Sequence, residues 1–126
     1  MLRRVLGMAV LFSALTLAAD VTGTWSGPMQ MKKGDETHDD SAYLVLKQEG
    51  NVITGTVGPN VDKRMTITKG SIEDNALYIE AKHPERDAKM VLRLKLEGEK
   101  LTGELSAEGP EAPPISGKMT LTREKS

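Results

Sequence analysis

No cysteine occurs in the 126 residues. That removes disulfides, thiolate metal ligands, thiol redox chemistry and a cysteine nucleophile. Aromatic residues are scarce, with one Trp, two Tyr and one Phe, and neither sign of charge dominates, the formal net charge being −1. A chain without a basic stripe or stacking rings lacks what nucleic-acid binding needs. Beyond Asp20 no apolar run approaches the ~18 residues that a membrane-spanning helix requires.

The first 19 residues have a different texture. Arg3 and Arg4 precede the apolar run Val5 to Leu17, and Ala18–Ala19 stand before Asp20. This is the pattern of a secretory signal peptide. The arginine pair reads as an ordinary positive n-region, because no fuller twin-arginine motif follows it. The expected organisation is therefore a signal peptide at 1–19 and one domain at 20–126, exported to a bacterial periplasm or medium. Loss of the two arginines moves the formal charge from −1 to −3. With no cysteine after the signal there is no site for a bacterial lipid anchor. The mature chain is expected to be soluble, free of the membrane and monomeric.

Period two dominates the remainder. Met90, Leu92, Leu94 and Leu96 alternate with Val91, Arg93, Lys95 and Glu97, and Leu77, Ile79 and Ala81 alternate with Tyr78, Glu80 and Lys82. Such alternation places apolar side chains on one face of a strand and polar ones on the other. Strands with one wet face belong to antiparallel sheets. Leu44 to Val57 also repeats as Leu92 to Leu105 at an offset of 48, and turn signals at Gly50, Asp74 and Gly98 fall 24 residues apart. The segment 71–82 has a Ser71 and Asp74 that would cap a helix, but the turn spacing favours a strand from Ala76.

Eight strands are expected, at 21–31, 41–49, 51–58, 64–72, 75–82, 88–97, 99–106 and 115–123. The longer connections, 32–40, 58–63, 83–87 and 107–114, then gather at one rim, and tight turns close the other. The fold expected is all-β, an eight-stranded up-and-down antiparallel barrel, since closure leaves no exposed edge. A two-sheet sandwich is the structural alternative.

The mature start, Asp20-Val-Thr-Gly-Thr-Trp-Ser-Gly27, carries a Gly-x-Trp on the first strand. This resembles the opening motif of lipocalins and other calycins. The resemblance implies an eight-stranded barrel whose closed end is plugged by the Trp. Ile53-Thr-Gly-Thr56 and Leu101-Thr-Gly103 are similar to a strand of the avidin branch, and the texture resembles small exported bacterial proteins of unassigned function. Avidins place an Asn two positions beyond the Trp and add further tryptophans around biotin. Here Gly27 stands in that place and no second Trp exists, so biotin binding does not carry over.

The inward positions are aliphatic or thioether, with Gly23, Gly27, Gly55, Gly103 and Gly117 on the same faces. Glycines there either let strands coil sharply or leave room for a ligand. The function expected is non-catalytic binding of a small apolar molecule, with Trp25, Met31, Leu46, Ile67, Ile79, Leu94 and Met119 as the cavity lining. The competing reading is a filled core, in which the barrel serves as a structural or protein-interaction module with Tyr43, Val45, Tyr78 and Val91 as its outer patch. No cofactor is expected. A weaker alternative is a metal site at the looped rim, formed by His38, Asp39 and His83, although no short-range ligand spacing supports it. Ser26 and Ser41 lack a nearby base in sequence, and no catalytic site is expected.

Overall fold

The computed structural model describes residues 20–83, 87–112 and 114–124. The expected signal peptide at 1–19 lies outside the described residues. Eight strands follow in order: β1 (Gly23–Lys33), β2 (Glu36–Glu49), β3 (Val52–Asn60), β4 (Lys63–Glu73), β5 (Ala76–Lys82), β6 (Lys89–Glu97), β7 (Lys100–Glu108) and β8 (Ile115–Arg123). Each pairs antiparallel with the next, and β8 returns to β1, so the sheet is a closed up-and-down barrel. The region weighed between helix and strand is β5, entered through a tight turn at Asp74 and Asn75. Both residues have positive φ, 50° and 66°, as the favoured two-residue hairpin turn demands.

Alternation sorts the core. Met29, Met31, Leu44, Leu46, Ile53, Val57, Ile67, Leu77, Ile79, Leu92, Leu94, Leu101, Leu105, Met119 and Leu121 are all buried, and Met65 packs against them partly exposed. The 48-residue repeat corresponds to the β2–β3 and β6–β7 hairpins. They lie four strands apart, on opposite sides of the barrel.

Several expectations shift. Residues 32–40 form no open loop: β1 runs to Lys33, β2 starts at Glu36, and the two pair down to Lys33↔Glu36 around a two-residue turn. Likewise β3 and β4 extend to Asn60 and Lys63. Beyond the barrel wall both faces of a hairpin are wet, so nothing imposes apolar alternation there, and polarity alone reads as loop. β1 starts at Gly23 rather than residue 21. Before it, Val21 is fully buried and its N–H donates to Gln48 Oε1 at 2.9 Å. In β4 the register shifts between Ile67 and Lys69. This bulge moves the inward phase from Met65 and Ile67 to Gly70 and Ile72, which is why Ile72 is buried against simple alternation.

The inward glycines serve close approach of strands rather than open space. A Cβ on Gly27, Gly55 or Gly103 would stand 1.9–2.2 Å from a carbonyl oxygen of the neighbouring strand. At Gly117 the space is taken by Met31 Sδ, 2.8 Å from where a Cβ would be. Coiling explains the first three, and packing the fourth.

The outward apolar residues do not form one patch. Tyr43 and Tyr78 lie on β2 and β5, with two strands between them. Each is covered by an arginine, Arg64 at 6.0 Å and Arg93 at 5.3 Å from the ring centroid. Val45 is half-buried and Val91 is fully buried. Register sets Val91 between Glu80 and Ser106, and Lys89 and Arg93 flank it on the same outer face. Long stems of this kind cover a small β-branched side chain.

Candidate functional site

The two ends of the barrel differ in kind. At the end with tight turns, Trp25 is fully buried and its Nε1–H donates to Val21 O at 2.9 Å. The Arg123 guanidinium lies 4.4 Å from the ring centroid. It donates to Thr22 O (2.6 Å), Asp20 O (2.9 Å) and the Glu99 carboxylate (3.0 Å). One cation thus seals the Trp and ties the first residues of the domain to the last strand. Above this plug, Leu46, Ile53, Ile79, Leu101 and Leu121 are fully buried.

Toward the other end the packing opens into a chamber of about 150 Å³. Its wall is Met29, Met31, Met65, Met90 and Met119, with Ala42, Leu44, Val57, Leu92 and Leu105, and it reaches the surface at Asp40, Gly58 and Pro59. All five methionines that follow residue 19 are in this wall. The antiparallel order explains the gathering. Met29 and Met31 lie in the later half of β1, Met65 and Met90 lie early in β4 and β6, and those strand ends share one rim; Met119, midway along β8, is paired with Met29. An engineered apolar cavity of about 150 Å³ holds benzene, whereas drug-sized sites start near 300 Å³. The chamber therefore suits a molecule of one small ring. Unbranched thioether side chains also let such a wall adjust its shape.

Of the seven residues expected to line a cavity, Met31 and Met119 do so. Trp25, Leu46, Ile67, Ile79 and Leu94 are outside this wall, within the packed core. The reason is axial position: alternation tells inward from outward but not which end of the barrel is solid. Met29, Met65, Met90, Ala42 and Asp40 line it beyond the expected set, and the placement of Met65 and Met90 near the looped rim is readable from strand order.

His38, Asp39 and His83 are not brought together. His38 and Asp39 are consecutive on β2 and so face opposite sides of it. His38 Nε2 is 3.5 Å from Glu36 Oε1 with both side chains exposed. His83 follows β5, three strands away from β2, and its backbone N–H donates to Ala88 O at 2.9 Å. Among the described residues no group of three or more His, Asp or Glu side chains is placed to hold a metal ion.

Groups with clearly shifted acidity lie on the outer wall and at the closed end. The Tyr78 hydroxyl donates to Glu80 Oε2, and Lys89 Nζ is 3.4 Å from Glu80 Oε1. The Tyr78 bond and then Lys89 hold Glu80 below its ordinary value, while the same carboxylate raises Tyr78. Asp20 is lowered by the Thr22 N–H and hydroxyl. A lowered acid stabilises the fold above its unfolded value near 4.5, and the contribution disappears as pH falls through the folded value. A raised tyrosine stabilises below its ordinary 10.0, and its share is lost as pH rises past that. Tyr78→Phe is accordingly expected to flatten the alkaline fall in Tm and to make the acid fall shallower, with Asp20 and Lys89 keeping part of the latter. Thermal melts from about pH 3 to about pH 11 read both limbs. A profile parallel to that of the native chain contradicts the assignment.

No family model matches the chain, and no curated protein matches it. Among solved structures it is similar to a DUF3598-family protein of unknown function from Nostoc punctiforme, 12% identical, with a TM-score of 0.52 over 83% of this chain and 48% of that one. The chain thus spans about half the length of that protein. Rv2717c from M. tuberculosis is likewise 12% identical, with a TM-score of 0.48 over 94% of this chain and 100% of that one. At such identity the DUF3598 likeness concerns fold alone.

Proposed function

We propose that this chain is an exported, non-catalytic binding protein of calycin type that carries one small apolar molecule in the methionine chamber. The single observation behind this reading is the convergence of five methionines on one chamber in the barrel. A fold that needed only a filled core would gain stability by closing that space, since each lost contact in a void costs dispersion energy. Burial of the ligand's apolar surface would supply the binding energy, at roughly 25 cal/mol per Å².

Two further features support parts of the proposal. Gly23-Thr-Trp25 lies where the calycin resemblance puts its plug, at the closed end, and residues 1–19 have the sequence of an export signal. The chamber wall includes one ionisable side chain, Asp40, and no base paired with a nucleophile, which favours carriage over catalysis. The interaction-module reading has less behind it. The large hydrophobic residues exposed among those described are Val52 and Val61, at opposite ends of the barrel.

Native mass spectrometry of protein isolated from its own host tests the proposal. The expected spectrum shows a chain beginning near Asp20 with an organic adduct of about 80–150 Da, the mass of a one-ring molecule that fills such a space. Bare chain alone, or chain with a metal ion alone, contradicts it.

A further inference from the structure

We infer that the molecule taken up is a small organic ammonium, its apolar body in the methionine chamber and its charged nitrogen in the seam between β2 and β3 beside Asp40. This rests on the proposed binding role and adds the chemical class. The β2–β3 ladder ends at Tyr43↔Gly58, yet β2 begins seven residues earlier at Glu36 and β3 continues to Asn60. The seam that results has no strand-to-strand backbone pairing, and the chamber reaches the surface there, at Asp40, Gly58 and Pro59.

The chemistry of the seam is one-sided. Pro59 has no N–H to offer across it. The Ser41 hydroxyl spans the gap by donating to Pro59 O at 2.8 Å. The Pro59 carbonyl and the Asp40 carboxylate are both acceptors, an arrangement that favours a ligand rich in donors. Asp40 lies opposite Met29, on the inward phase of β2. One of its oxygens accepts the Ser41 N–H at 2.8 Å, which leaves the other for a ligand. Asp40 takes part in none of the ion pairs found among the described residues. Asp39 adjoins it and adds negative charge. Of the nearby cations, Arg64 is turned to the Tyr43 ring, and Lys118, which lines a groove with Asp39, Asp40, Met29 and Met119, is in no ion pair with either carboxylate. An anion would be repelled here, and a hydrocarbon would leave the carboxylate unused. An ammonium can donate up to three hydrogen bonds to such acceptors.

Four one-ring probes separate the possibilities: toluene, benzyl alcohol, benzylammonium and benzoate, each titrated into the full chain at neutral pH while the methionine methyl signals are followed. Benzylammonium is expected to bind about threefold to tenfold more tightly than benzyl alcohol, the range of a partly exposed ion pair, with benzoate weakest. Asp40→Asn should bring benzylammonium to the level of benzyl alcohol. Glu73→Gln, which removes a charge at the closed end, should leave the preference intact. Equal binding of the ammonium and the alcohol, or a preference that survives Asp40→Asn, overturns the inference while toluene binding keeps the chamber reading standing. Failure of all four probes overturns both.

Discussion

Trp25→Ala is expected to lower folding stability by about 3–5 kcal/mol, the range for truncating a buried large aromatic. For a domain near 100 residues that moves Tm down by roughly 15–30 °C. Three effects combine at this position. The ring fills the closed end of the barrel, and its loss opens a cavity under Leu44 and Leu121. The Val21 carbonyl loses its donor, and Arg123 loses the surface it covers at 4.4 Å. Trp25→Phe separates these, because a ring remains for Arg123 while the Nε1–H bond is gone. Its expected cost is about 1–2 kcal/mol, mainly an orphaned acceptor and a smaller ring. Urea unfolding followed by circular dichroism measures both variants. A loss below about 1 kcal/mol for Trp25→Ala would mean that the ring is not what closes this end.

Gly55→Ala is the second large effect. Gly55 has φ of 133°, and a Cβ there would stand 1.9 Å from Val45 O and 2.9 Å from Val45 C. The contact is with backbone, so no flexible side chain can move aside. The strained dihedral costs about 1–3 kcal/mol, and relieving the clash with Val45 opens the β2–β3 ladder and leaves polar groups unpaired, at a similar cost. Together they give an expected loss of about 3–5 kcal/mol. Gly50→Ala is the control. It also has positive φ, 64°, but nothing lies within 4 Å of its Cβ position, so about 1 kcal/mol is expected. Equal denaturant midpoints for the two variants would show that close approach of the strands is not the reason for glycine at 55.

The barrel was legible in the sequence because its physics is local and periodic. Leu92, Leu94 and Leu96 announce an inner face by alternation, and the 24-residue turn spacing sets the strand count. Residues beyond the wall were not legible in this way. Glu36 to Asp39 form exposed strand at the tip of the β1–β2 hairpin, and no periodicity marks such a stretch. Arg123, a cation on the inward phase of β8 after Met119 and Leu121, is the signal of a capped end that apolar alternation alone does not pick out. The chamber required a step that alternation does not supply, namely the height of each inward residue along the barrel axis. Counting from the turns would have put Met29, Met31, Met65 and Met90 toward one end, with Met119 midway along β8, because successive strands run in opposite directions. Their shared chemistry then marks that end as the adaptable one. Trp25 and the leucines beyond it mark the other as the rigid one.

The distribution of stability follows from this asymmetry. The closed end combines the Trp25 plug, the Arg123 hydrogen bonds and fully buried aliphatic packing. The looped end has thioether walls and a seam without ladder bonds, so local opening is less costly there. A ligand can be admitted at one end without loosening the other.

Isotope-labelled methionine methyl groups report on the chamber directly, since five of the chain's seven methionines line it. Titration with toluene is the most direct test of the central claim. The expected result is a saturable shift of the Met29, Met31, Met65, Met90 and Met119 methyls on one shared isotherm, with a Kd on the order of 0.1–1 mM for a ligand of this size. Methyl signals that stay fixed, or that drift linearly without saturation, would contradict a binding chamber and leave the barrel a solid one.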